Sequence, residues 1–167
     1  QCHGNGTTGQ RADGAKDVAT KAGLAHAHDP SDTTGAHSDT ESGADIGKEP
    51  HAECTDCHDP HMAKADASGS AVHATNPTAN SSAPGAALYR AWGAAPNYRA
   101  LNWDAPQADD FNAVRFSGEA TDMEAYLCFK CHSQNIGPTM IEGLTDTALE
   151  FNPSNFSVHN VTGQSIG

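Results

Sequence analysis

Two short segments constrain this chain more than anything else in it: Cys54-Thr55-Asp56-Cys57-His58 and Cys128-Phe129-Lys130-Cys131-His132. Each is a C-x-x-C pair followed at once by a histidine. On a helix, positions i and i+3 share a face and i+4 lies beside them. Each segment therefore presents two thiols and an imidazole on one side of a single turn. Histidine is 10 of 167 residues, so two independent C-x-x-C pairs would both be followed by His by accident about 0.4% of the time. The fold has to be organised around whatever those thiols hold.

The spacing has a specific chemical meaning. Two thiols on one face can add to the two vinyl groups of one porphyrin, and the next imidazole then reaches the iron. C-x-x-C-H reads as c-type haem attachment. The chain opens Gln1-Cys2-His3, which matches the end of a third such motif and accounts for an odd count of five cysteines. Three haem c sites are expected, with thioether bonds at Cys2, Cys54, Cys57, Cys128 and Cys131 and proximal iron ligands at His3, His58 and His132. The first site either lost its leading cysteine to processing or truncation, or uses a single thioether. The competing readings are a four-thiolate zinc site at Cys54, Cys57, Cys128 and Cys131 and a redox C-x-x-C. Neither explains the trailing histidines.

Composition supports a prosthetic core. Leu, Ile, Val and Phe number 20 of 167, below the about 20% under which a strongly charged chain reads as disordered. Net charge is -12 and mean hydropathy -0.58. Such a chain stays unfolded or takes its apolar interior from a bound group. The acidic balance disfavours nucleic acid, which needs basic surface to displace counterions. No apolar run approaches the length of a membrane span. No signal-peptide pattern is present, and the first residues read as those of a mature or trimmed chain.

Seven further histidines exceed what attachment needs, which favours bis-His ligation over Met. His61, in Cys57-His58-Asp59-Pro60-His61, is the foremost distal candidate. It is too near His58 to cap the same haem and should ligate a neighbour. Three residues span at most roughly 11 Å, which would hold two irons on the order of 10 Å apart. His51 precedes Cys54 by three residues and can serve similarly. His159 follows the last motif and can cap a haem in this chain or in another copy. His28, with His26, is in reserve. His37 and His73 sit in polar stretches and read as solvated.

Regular structure should be sparse: a mostly irregular, single multihaem domain over residues 1–167, with a few short helices, a haem-filled core and little or no β-sheet. Thr121-Asp122-Met123-Glu124 reads as a capping box for a helix over 121–132. Its stripe of Met123, Tyr126, Leu127 and Cys131 should face the haem. Shorter helices are expected over 50–58, between Pro50 and Pro60, and near 144–151. Residues 65–118 read as a loop-rich excursion without strand pairs. The rings within it, Tyr89, Trp92, Tyr98, Trp103, Phe111 and Phe116, suit porphyrin faces or a small protein-only core equally. Asn5, Asn80, Asn155 and Asn160 each begin a glycosylation sequon.

The run Cys54-Thr55-Asp56-Cys57-His58-Asp59-Pro60-His61, with Leu127-Cys128-Phe129-Lys130-Cys131-His132 downstream, resembles the doubled CxxCH family of multihaem cytochromes. That family pairs a CxxCHxPH element with an LCxxCH element. The resemblance covers these two segments and not the spacer between them. It implies attachment roles for Cys54, Cys57, His58, Cys128, Cys131 and His132, and a distal role for His61. It also implies haem attachment outside the cytoplasm and an electron-transfer function, not an enzymatic one. Family members include extracellular cytochromes that polymerise into conducting filaments. The implied partners are copies of the chain in a head-to-tail homopolymer, other redox proteins and extracellular electron acceptors. The alternatives are a soluble periplasmic shuttle and a multihaem reductase with one open iron.

Overall fold

The computed structural model describes residues 24–25, 28, 43–44, 46, 54–59, 88–117, 122–136, 143–159 and 161, and of Cys54 the main chain alone. Internal contacts divide the chain into two compact units, Gln1–Thr34 with His51–Cys54, and Gly35–Pro50 with Thr55–Gly167. In the first, Leu24, Ala25 and His28 are exposed. The second carries the rest of the described residues apart from Cys54.

The elements are few and short: helix α1 (Cys54–Cys57), strands β1 (Trp92–Pro96) and β2 (Phe111–Arg115), helix α2 (Ala125–Phe129) and helix α3 (Thr147–Glu150). Single 3-10 turns cover Ala108–Asp110 and Gln134–Ile136. Most of the described chain is irregular, as expected. The strand pair was not expected. β1 and β2 run antiparallel, with Trp92 opposite Arg115 and Pro96 opposite Phe111. The sequence hides them because Ala, Gly and Pro have low strand propensity and the connection over 97–110 is long. Tertiary bonds close both ends of the ladder. Phe116 N–H donates to Ala91 O at 2.9 Å and Asn97 N–H to Asp110 O at 2.8 Å. Gly93 is required by close approach, since a Cβ there would lie 2.9 Å from Phe116 Cζ and 3.0 Å from Tyr126 Cβ. Across the hairpin the Arg115 guanidinium sits 5.5 Å from the centre of the Trp92 ring, a favourable cation–π geometry.

Helix α2 packs on β1. The core there is Leu88, Ala91, Ala94, Phe116, Met123, Tyr126, Phe129 and Ala148. Phe129 lies 6.2 Å, centroid to centroid, from Tyr126 and 6.4 Å from Phe151. Phe116 is buried in this cluster, while Trp103 stands exposed. Of the expected stripe, Met123 and Tyr126 are buried in this core and Leu127 packs against it. Helix α2 covers Ala125–Phe129, within the expected 121–132. Glu124 is the N-cap and makes no side-chain cap bond, while Thr121, the first residue of the expected capping box, lies outside the described residues. Asp122 accepts from Ser117 N–H and Oγ–H at 2.7 and 2.9 Å.

Helix α3 falls inside the expected 144–151 window. Its N-cap is Asp146, whose Oδ1 accepts from Leu149 N–H at 2.9 Å, while Oδ2 is buried without a partner. Burial raises the Asp146 pKa, with a smaller push from Glu150, against bonds from Leu149, Ala148 and Gln134 that lower it. A carboxyl whose folded pKa is raised contributes stability below its unfolded value and loses it as pH rises through the folded one. Asp146→Asn keeps a good cap and removes the buried charge. Its thermal midpoint should exceed wild type by a few degrees at neutral pH, and the gap should close on acidification.

Two buried asparagines tie the loops together. Asn152 Nδ2 donates to Leu101 O and Asp104 O at 3.1 and 2.9 Å. Asn155 Nδ2 donates to Leu149 O at 2.8 Å, and its Oδ1 accepts from Trp103 N–H at 2.7 Å. Asn155 is 6% exposed, so the sequon it begins is closed to a glycan in this fold. Asn5, Asn80 and Asn160 lie outside the described residues. Among the described residues no helix is long and apolar enough to cross a membrane.

Candidate functional site

The second C-x-x-C-H segment continues the turn that ends α2. Cys131 N–H donates to Cys128 O at 3.3 Å and His132 N–H to the same oxygen at 2.9 Å. The second bond is the i to i−4 contact of an α-helix, so Cys128, Cys131 and His132 share one side of the turn. Cys128 is exposed, and Cys131 and His132 are half-buried. The two intervening residues, Phe129 and Lys130, are buried. Ser133 Oγ–H caps Phe129 O at 2.6 Å, and Asn135 Nδ2 donates to Lys130 O at 3.0 Å. From α3, Thr147 N–H and Oγ–H both donate to His132 O, each at 2.8 Å. The main chain that carries the imidazole is therefore fixed from two sides.

The first segment is held beside the second. Lys130 Nζ donates to Asp56 O at 2.6 Å, joining residues 74 apart in sequence. Beyond His58, which is exposed, the Asp59 carboxylate lies 3.7 Å from Arg115 and 4.0 Å from Arg90. These are loose ion pairs, worth under about 1 kcal/mol. Cys57 and His58 are thus bracketed by an anchor on each side. Burial pushes the Cys57 thiol up to about 11, Lys130 pulls it down, and Asp56, Cys131 and Cys128 push it further up. Cys57, Cys128 and Cys131 are electrostatic neighbours, and none of them is in a disulfide. Cys128 is exposed as a residue, yet its sulfur lies low enough on the surface for burial, with Glu124, to raise its pKa too.

The donor chemistry fits a covalently held haem: two thiols one turn apart with an imidazole next in line. The second segment supplies this complete. The first supplies Cys57 and His58, with Cys54 placed on α1 by its main chain. Among the described residues no group of three or more His, Cys, Asp or Glu side chains is placed to hold a metal ion, and the side chain of Cys54, one of the four thiolates of the zinc alternative, lies outside them. Of the distal candidates, His159 is exposed at the surface and His28 is exposed in the first unit. Cys2, His3, His51 and His61 lie outside the described residues. Sequence reasoning missed Lys130, Asp59, Arg90, Arg115 and Thr147. A lysine between two cysteines gives no sign that it will be buried, and the carbonyl it meets carries no residue signature. Compared with known protein families, curated proteins and solved structures, the chain matches none.

Proposed function

We propose that this chain is an exported electron-transfer protein that holds three haem c groups and assembles head to tail into an extracellular filament. The observation that carries the reading is the pair of complete C-x-x-C-H segments, set beside one another by Lys130. Cys54 and Cys57 would hold one group, Cys128 and Cys131 a second, and Cys2 a third. His58, His132 and His3 are the proximal ligands. His61, His51 and His159 are the distal ones, with His28 in reserve. Bound there, haem supplies an iron that gains and loses one electron. The protein's part is to fix the imidazoles and to separate attachment surface from core. Thr147 holds the His132 main chain, and Ser133 and Asn135 lock the turn. Phe129 and Lys130 face inward while Cys128 stays at the surface.

The thin protein interior supports the same reading. Among the described residues the buried apolar cluster has eight members, three of them alanine, and an alanine methyl buries little area. Porphyrins would add the missing apolar surface. Head-to-tail association rests on His159 as a ligand to a haem of another copy, since heterologous contacts that do not close make filaments.

Intact mass under denaturing conditions tests the attachment directly, because covalent haem survives unfolding. Two or three haem increments per chain are expected on protein matured in an exporting host. A colourless, folded protein holding zinc and no iron would overturn the reading. Negative-stain microscopy then separates filaments from a soluble shuttle.

A further inference from the structure

Lys130 is 4% exposed, with its ammonium 2.6 Å from the Asp56 carbonyl oxygen. Burying an ammonium is costly unless it is compensated by strong acceptors. A chain with so small an apolar interior has little stability to spare for such a charge. The lysine occupies the third position of the second attachment segment, and the carbonyl it meets belongs to the third position of the first. Asn135 fixes the main chain of Lys130 at 3.0 Å, so the tether is anchored at its base. On the far side, the ion pairs from Arg90 and Arg115 to Asp59 hold the same segment against the hairpin. Lys130 also acts electrostatically on Cys57, as do Cys128 and Cys131, so the Cys57, Cys128 and Cys131 sulfurs lie near this contact.

We propose that Lys130 is a positioning residue: its bond to the Asp56 carbonyl sets the separation and relative angle of the two attachment segments, so that the haems they carry form one electronically coupled pair. This rests on the haem reading above. The charge matters less here than the donor geometry, since the ammonium reaches a main-chain oxygen that no side-chain substitution in the first segment can remove. Arginine retains both charge and donors; methionine keeps the apolar stem and loses the bond.

Two chromophores at a fixed distance and angle produce a two-signed couplet in the Soret circular dichroism. The haem-loaded wild type should show such a couplet, and Cys128→Ala/Cys131→Ala should abolish the part due to this pair. Lys130→Met should retain the wild-type haem count by denatured mass and lose most of that couplet, while Lys130→Arg should restore it. An unchanged couplet in haem-replete Lys130→Met overturns the proposal. So does a wild type with both haems attached but no couplet that depends on Cys128 and Cys131, and that outcome is readable even if Lys130→Met does not fold. Absence of covalent haem from the wild type would instead overturn the function itself, so the two failures are distinguishable.

Discussion

Replacing Cys128 and Cys131 together by alanine is expected to cost the chain one covalently bound haem and no more, read as the loss of one haem increment in the denatured mass. The two cysteines lie on one side of the turn that ends α2, Cys128 exposed and Cys131 half-buried. Neither residue belongs to the buried apolar cluster, so their removal leaves the hairpin and α2 packing in place. His132 stays gripped through its carbonyl by Thr147, so an imidazole can still reach an iron, but nothing holds the porphyrin through denaturation. The same substitution under a zinc-thiolate reading would lose two of four ligands and the whole metal site. Retention of every haem increment in the double variant would refute the assignment of these cysteines.

Phe129→Ala is expected to be the most destabilising single apolar truncation in the described core. The ring is 0% exposed and lies between Tyr126 and Phe151. Removing a fully buried phenyl ring costs about 3–5 kcal/mol in lost transfer energy and residual cavity. Native domains hold only about 5–15 kcal/mol in total, and this one has few other large side chains with which to close the gap. Urea denaturation of the haem-loaded protein should show the midpoint falling by a large fraction. Phe156→Ala, at a position 95% exposed, should leave it nearly unchanged, within about 0.5 kcal/mol. Equal effects from the two substitutions would mean that the apolar cluster around Phe129 does not bear the fold's stability.

The attachment chemistry was legible because it is local. Cys128, Cys131 and His132 fall within five residues, and helical periodicity alone puts them on one side of a turn. The short helix near 144–151 was legible for a similar reason, with Asp146 a good capping residue just before it. The hairpin was not. Trp92-Gly93-Ala94-Ala95-Pro96 has no alternation and Trp92 as its one strand former, and it pairs with Phe111–Arg115 where Phe116 and Tyr126 close over Gly93. Helix α2 begins later than its expected start at 121, with Glu124 as the N-cap, and Asp122 before it accepts from Ser117. Asn155 reads as a glycan acceptor in sequence, and only its three-dimensional neighbours commit its amide to carbonyls.

By itself, then, the sequence determined which residues carry the chemistry, because thiol and imidazole spacing depends on one helical turn and on nothing farther away. Tertiary structure decided how the two turns meet. The contact of Lys130 with the Asp56 carbonyl joins a side chain to a main-chain oxygen 74 residues away, and a backbone carbonyl looks the same at every position in a sequence. Which carbonyl a buried ammonium reaches follows only from the packing of α2 on the hairpin, which buries Lys130.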